Sequence, residues 1–368
     1  MIKSLYIHIP FCDKICSYCD FCKILYNKNI INKYLDSLEE EINNIYRGDI
    51  LDTIYIGGGT PSSLDIDELE RLFKIISKLK VSKDLEYTIE GNFNNTSYEK
   101  LNLYKKYGIN RLSFGVESIN SNNLKLLGRS EFKNRIIDII NYSKSIGFNN
   151  INVDLIYAVP GEDMDILKKD IDFILSLDVE HISTYSLIIE DNTILKINNI
   201  KNISEDLDFD MYKYICDRLR NNNYNHYEIS NFCKEGFYSR HNSCYWNNDN
   251  YYGFGLGASS YIDNRRITNT RSMNKYLDNK YILEFDILKL DDIIEYEVIL
   301  NLRMSSGINL NNFYNKYNIN LIDKYDYTDL VNNKLLILKD NHLFIPEDKW
   351  YISNDIIVRL LGSVKNGL

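Results

Sequence analysis

No stretch of about twenty apolar residues occurs in this 368-residue chain, so no membrane-spanning helix is expected. The opening segment "MIKSLYIHIPF" holds one lysine and a short apolar run that stops at Pro10. It lacks the long apolar region and cleavage site of a secretory signal. Basic residues are outnumbered: 43 Lys and Arg face 52 Asp and Glu, for a net charge of −9. A dominant nucleic-acid-binding role therefore lacks its electrostatic footprint. Without a secretory signal, the seven cysteines read as reduced thiols of a cytoplasmic protein, not as a disulfide framework. There is also no second close cysteine pair to complete a four-thiolate zinc cage, because Cys216, Cys233 and Cys244 are isolated.

What is present is ordinary for a globular protein of one or two domains: 44% hydrophobic and 26% charged residues. The 30 tyrosines are dispersed among periodic apolar residues, unlike a low-complexity tract. Strand-like segments recur: "SLYIHI", "DTIYIGGG", "EYTIEGN", "INRLSFGVES", "NINVDLIYAVPG" and "HISTYSLIIE". Stretches with apolar residues at i, i+3, i+4 and i+7 lie between them. Six such β/α units of about thirty residues argue for a parallel sheet covered by helices. Polar oddities cluster at the C-terminal ends of these strands: the cysteine loop, the Gly57–Gly59 run, Glu90, Glu117, Asp154 and Tyr185. Barrel-type α/β enzymes build their sites at those ends. The β/α pattern covers residues 1–195. An aromatic, glycine-rich segment follows over 196–285. A smaller α+β unit of helices and a hairpin, similar to a winged helix, occupies 286–368. Its acidic composition argues for packing rather than nucleic-acid binding.

Cys12, Cys16 and Cys19 form C-x3-C-x2-C on the loop after the first strand, with Cys22 three residues on. An iron–sulfur cubane normally takes four thiolates. Three would leave one iron open, able to hold a small molecule through an amine and a carboxylate. Core thiols are common, but three at this spacing on a loop with Pro10 and Asp13 are not core-like.

This motif, with Tyr18 before the third cysteine, resembles the radical S-adenosylmethionine superfamily. "YIHIPFC", "CSYCDF", "GGGTPS", "RLSFGVES", "VDLIYAVPG", "YEISNF" and "SRHNSCYW…YYGFGLGASS" follow the order of its oxygen-independent coproporphyrinogen III oxidase-like family, over roughly residues 5–262. Three features resemble the HemW-type haem chaperone branch more than the oxidases. The cysteine loop starts at residue 12 without an N-terminal extension. Phe21 stands where the oxidases keep a further cysteine. His241, Asn242, Tyr245 and Trp246 match H-N-x-x-Y-W.

The resemblance implies a partial (β/α)6 TIM-like barrel with the smaller C-terminal domain. It implies a [4Fe-4S] cluster on Cys12, Cys16 and Cys19, with Cys22 a bystander and His8 supporting the loop. It implies S-adenosylmethionine at Tyr6, Tyr18, Gly58, Gly59, Thr60, Glu90, Glu117, Arg129 and Asp154. Electron donation from such a cluster breaks the sulfonium C–S bond and yields a 5′-deoxyadenosyl radical. Glu117 departs from the family's usual Gln, and an ionised carboxylate only accepts hydrogen bonds. His241 is the haem candidate, with Arg240 for a propionate, aromatics for the porphyrin face and Cys244 as an alternative soft ligand. A histidine among aromatics also reads as a structural one. The expected role is haem binding and transfer to an acceptor protein, with any membrane association running through that acceptor. The second reading is oxidative decarboxylation of coproporphyrinogen III.

Overall fold

The computed structural model describes residues 1–130 and 132–364. Its centre is a twelve-stranded sheet. Six strands form the middle: β1 (Ser4–Ile9), β2 (Leu51–Gly58), β3 (Val81–Gly91), β4 (Arg111–Glu117), β5 (Ile151–Tyr157) and β6 (His181–Ser186). They lie side by side in chain order, and all five pairings are parallel. Helices run between consecutive strands, among them α1 (Lys28–Ile45), α2 (Ile66–Ile76), α3 (Tyr98–Lys106), α4 (Ser121–Leu127), α5 (Lys133–Ser145) and α6 (Met164–Ser176). Their starts are locally encoded. Asp65 and Glu68 close a reciprocal capping box on α2, and Asn27, Ser97, Asn120 and Asp163 cap α1, α3, α4 and α6.

Fully covered parallel strands usually read as continuous apolar runs. These alternate instead. Leu5, Ile7, Ile9, Ile54, Ile56 and Ile89 are buried in the main core, which the helices also line. The opposite face is polar and aromatic, and register joins its residues into rows. Tyr6 pairs with Tyr55, Tyr55 with Thr88, and Thr88 with Arg111. One step along, His8 pairs with Gly57, Glu90 with Ser113, Ser113 with Asn152, and Asn152 with His181. Because side chains alternate with period two, a polar inner face is built by every second residue of each strand.

The segment after residue 195 does more than its sequence suggested. After the helix Glu205–Arg220 it adds β7 (Asn225–Glu228) and β8 (Asn231–Cys233), with β8 antiparallel to β6. The helix Arg240–Trp246 follows. The chain then returns to the other side, where β9 (Tyr251–Phe254) pairs parallel to β1. A meander of β10 (Ser259–Ile262), β11 (Arg265–Asn269) and β12 (Ile282–Ile287) continues from it. The order is β12-β11-β10-β9-β1-β2-β3-β4-β5-β6-β8-β7, so the sheet ends in two edges and the barrel is a partial one.

The C-terminal helices and hairpin are present, with a third short strand, Ile308–Asn309, added to the hairpin Ile337–Lys339 and His342–Phe344. This part has its own apolar cluster, including Ile294, Val298, Phe313, Leu343, Trp350 and Leu360. Among the described residues no helix is long and apolar enough to cross a membrane.

Glu41 of α1 ties the β9–β11 extension to the barrel. Its carboxylate accepts hydrogen bonds from the Gly255 N–H at 2.9 Å, the Asn269 amide at 2.5 Å and the Tyr276 hydroxyl at 2.6 Å. Burial pushes Glu41 and Glu228 up to about 7 and Glu162 up to about 8. The unfolded chain ionises these groups near their ordinary value, whereas the folded chain keeps them neutral until higher pH. Their contribution to stability is therefore present at low pH and lost as pH rises through 7 to 8, and a tenfold change in one group's proton affinity is worth about 1.4 kcal/mol. Above pH 6.5, where the buried histidines are neutral in both folded and unfolded chain, the thermal midpoint of the metal-free protein should fall up to pH 8.5, and Glu41→Gln should flatten that slope. A midpoint that rises over this range contradicts the assignment.

Candidate functional site

The cysteine loop leaves the end of β1 and is held from three directions. Backbone bonds of 2.8 Å join Ile24 N–H to the Pro10 carbonyl and Tyr26 N–H to the Cys12 carbonyl. Ser17 N–H reaches the Leu127 carbonyl at 3.0 Å, and Leu195 N–H reaches the Ser17 carbonyl at 3.1 Å. His8 donates from Nε2 to the Cys22 carbonyl at 2.7 Å. The carbonyl can only accept, so Nδ1 carries the lone pair and takes the Tyr6 hydroxyl at 2.9 Å. Burial lowers His8 to about 4, which keeps it neutral in this role.

Gly58 and Gly59 are required by their backbone geometry or by a backbone approach that leaves no space for a Cβ, whereas Gly57 lies against the ends of the Glu90 and Tyr55 side chains. An added methyl on Gly57 would sit 2.9 Å from the Glu90 carboxyl carbon, and on Gly58 2.8 Å from the His8 ring. On Gly59 it would meet the Pro10 backbone at 2.7 Å and Cys12 Sγ at 2.9 Å. Gly58 also has φ of 120°, a region disfavoured for side chains. Gly59 and Thr60 donate their N–H groups to the Ile9 and Phe11 carbonyls at 2.8 Å, and the Thr60 hydroxyl lies 3.5 Å from Cys12 Sγ.

Two adjoining cavities result. The smaller, about 160 Å³, is lined by Cys12, Cys16 and Cys19 together with Gly58, Gly59, Thr60, Glu90, Glu117, Arg129 and Asp154. The larger, about 960 Å³, is lined by Tyr6, His8, Cys22, Tyr55, Tyr185, His241, Tyr245, Tyr251 and Arg271. Tyr18, Cys19, Phe21, Gly58 and Glu90 border both. Cys22 thus faces the larger chamber and not the pocket of the other three thiols. Tyr6 also lies in the larger chamber.

The electrostatics of the smaller pocket are those of a cation site. Burial raises Glu90 to about 7 and lifts Asp154 and Glu117 above the usual carboxylate range. Glu90 accepts from the Tyr55 hydroxyl at 2.8 Å and the Gly58 N–H at 3.1 Å. Glu117, at φ of 63°, accepts from the Tyr18 hydroxyl at 3.0 Å and from Arg129 at 2.5 Å. Asp154 accepts from the Asn152 amide at 2.8 Å. The arginine therefore pairs with Glu117 rather than with Asp154. Buried Glu117 and half-buried Glu90 and Asp154 face one half-buried guanidinium, with Lys14 and Lys23 also along the lining, and the carboxylates suit a ligand with ammonium and sulfonium charges. Burial likewise pushes the Cys12 thiol up to about 11, with Cys19 and Cys16 adding to the rise. Such thiols ionise when a metal centre supplies positive charge, so the donor set fits an iron–sulfur cluster. Among the described residues no three His, Cys, Asp or Glu converge as a single-ion site.

His241 lies in the wall of the larger chamber with both ring nitrogens engaged. Nδ1 is 2.8 Å from the Thr53 hydroxyl and Nε2 is 2.7 Å from the Tyr245 hydroxyl, while the ring stacks on Tyr55 at 5.1 Å. Burial, helped by Arg111, lowers it to about 3. Arg240 turns away from the chamber toward the Asp84 and Asp52 carbonyls, and Arg271 is the arginine that lines it. Cys244 points to the Asn250 carbonyl at 3.9 Å. Trp246 packs toward the C-terminal part, its carbonyl taking the Asn301 amide at 2.9 Å. Tyr55 escaped the sequence reading, although its period-two spacing with Thr53 and Gly57 marks it as facing inward. Arg271 has no local sequence signal.

The radical SAM superfamily pattern matches residues 6–174. A protein named heme chaperone HemW from Lactococcus lactis subsp. lactis is 39% identical over 98% of this chain and 97% of its own length. Its Bacillus subtilis namesake is 35% identical over 99% and 100%. The solved coproporphyrinogen III oxidase (HemN) of Escherichia coli superposes with a TM-score of 0.85 at 22% identity, covering 97% of this chain and 89% of that one.

Cys22→Ala should leave the iron content of the reconstituted protein unchanged, whereas Cys12→Ala should abolish it. Gly59→Ala keeps all three thiols yet should weaken iron retention roughly 10-fold or more, by displacing Cys12. Iron and sulfide analysis checks all three, and iron loss confined to Cys22→Ala contradicts the ligand set.

Proposed function

We propose that this chain, which belongs to the HemW-type branch of the radical SAM superfamily, carries haem in its larger chamber and hands it to an acceptor protein. The observation that carries this reading is the chamber itself. It is large, tyrosine-lined, furnished with Arg271, and shares a wall with the cysteine pocket. Aromatic rings offer faces to a macrocycle, and a guanidinium suits a propionate. The names of the relatives, similar over nearly the whole chain, support it.

In this reading Cys12, Cys16 and Cys19 hold a [4Fe-4S] cluster. Gly58, Gly59, Thr60, Glu90, Glu117, Arg129, Asp154 and Tyr18 hold S-adenosylmethionine. The bound pair supplies one-electron chemistry at a sulfonium carbon. The chain's own residues bind and orient. Glu90 and Asp154 offset ligand cations, the Glu117–Arg129–Tyr18 group fixes the far wall, and the glycine turn brings backbone against the ligand. Phe21, 70% exposed, borders both compartments as an apolar rim. The N-terminal 195 residues, the 196–285 segment and the 286–368 unit act as cofactor barrel, cargo wall and packing support.

Haem titration of the anaerobically reconstituted protein should give a saturable spectrum at one haem per chain, and the loaded protein should pass haem to an apo b-type cytochrome. Absence of any haem spectrum, or turnover of coproporphyrinogen III with adenosylmethionine and reductant, contradicts the carrier reading.

A further inference from the structure

Two imidazoles line the larger chamber, and neither offers a free nitrogen to a metal. His8 uses Nε2 on the Cys22 carbonyl and Nδ1 on the Tyr6 hydroxyl. His241 uses Nδ1 on the Thr53 hydroxyl and Nε2 on the Tyr245 hydroxyl. A neutral imidazole has one N–H and one lone pair, and both are taken in each ring whichever tautomer His241 adopts. Iron ligation by His241 would require breaking a 2.7 Å bond in a fully packed setting, with the ring stacked on Tyr55.

The phenol oxygens differ. A tyrosine hydroxyl donates once and accepts twice, so one hydrogen bond to an imidazole leaves lone pairs over. Phenolate oxygen is an established haem-iron ligand. Tyr6 and Tyr245 both meet the condition. Tyr6 rises from the sheet floor two residues before His8, its ring tilted against Tyr55 at 6.2 Å. Tyr245 lies on the helix Arg240–Trp246, in the wall completed by Tyr251, Ala258 and Ser259. Its ring is fixed edge-on between His241 at 5.1 Å and Tyr251 at 4.6 Å, which sets the direction of its oxygen.

Resting on the haem-carrying reading above, we propose that Tyr245, and not His241, binds the iron of ferric haem through its phenol oxygen, with His241 as the positioning residue. An Fe–O bond forms and the iron's solvent ligand leaves. The phenol O–H breaks, and its proton goes to water in the open chamber. The iron stays ferric and no electron moves. His241 stays neutral, donates Nε2–H to the phenolate oxygen, and accepts the Thr53 hydroxyl at Nδ1. The H-N-x-x-Y-W spacing acquires a reason: residues 241 and 245 are one helical turn apart, so base and phenol share a face.

The test is resonance Raman and electron paramagnetic resonance on the full-length, cluster-reconstituted protein loaded with ferric haem. Wild type should show high-spin iron and an iron–phenolate vibration. Tyr245→Phe should lose that vibration, and its haem affinity should fall roughly 10-fold or more. His241→Gln should keep the vibration at a shifted frequency, and Tyr6→Phe should leave it unchanged. If Tyr245→Phe does not fold, 3-fluorotyrosine placed at 245 should shift the vibration instead. An unchanged spectrum in Tyr245→Phe or with the fluorinated residue overturns the inference. So does loss of the vibration in Tyr6→Phe, or a low-spin nitrogen-ligated signal that disappears in His241→Gln. In each of those cases haem still binds and the carrier reading stands, whereas failure of wild type to bind haem overturns both.

Discussion

Three consecutive glycines at the end of the second strand set the spacing on which both compartments depend. Gly57 lies against the Glu90 carboxyl, Gly58 takes a left-handed backbone turn against the His8 ring, and Gly59 admits the Pro10 backbone and the Cys12 sulfur more closely than a side chain would permit. One turn thereby touches strand three, strand one and the cysteine loop. Backbone bonds from Gly59 and Thr60 to Ile9 and Phe11 then lock the loop at that height. The entropic cost of flexible glycines is offset by a contact that no other residue could make.

The polar inner face follows from the same geometry. Parallel strands in register place Tyr6 beside Tyr55 and Glu90 beside Ser113, so each inward residue adds to a row rather than acting alone. The rows carry charge in a buried setting, and burial is what raises Glu90 and lowers His241. The partition between the cavities runs through Glu90, Gly58, Tyr18, Cys19 and Phe21, so cofactor and cargo would be separated by single side chains.

Much of this was legible in the sequence, because the signals were local. The six strands, the helices after them and the cysteine spacing are all written within a few residues. Cys22, which the resemblance leaves out of the cluster ligands, lines the larger cavity and not the smaller one. What failed was long-range. Nothing near residues 251–254 announces that they pair in parallel with β1, across almost the whole barrel, because register between distant strands depends on the finished sheet. Arg240 looked like an anion partner from its neighbours, yet its helix start points it at the Asp84 and Asp52 carbonyls. The partner of Arg129 was equally hidden: Glu117 takes it through a left-handed backbone position that spacing alone does not disclose.

The central claim is that cluster and cargo occupy neighbouring compartments of one chain. It is tested most directly by the relaxation of the reduced cluster's paramagnetic resonance signal with and without ferric haem. Bound haem in the larger chamber should broaden that signal and speed its relaxation, through dipolar coupling across the Glu90 wall. A cluster signal unchanged by stoichiometric haem would place the haem elsewhere and contradict the account.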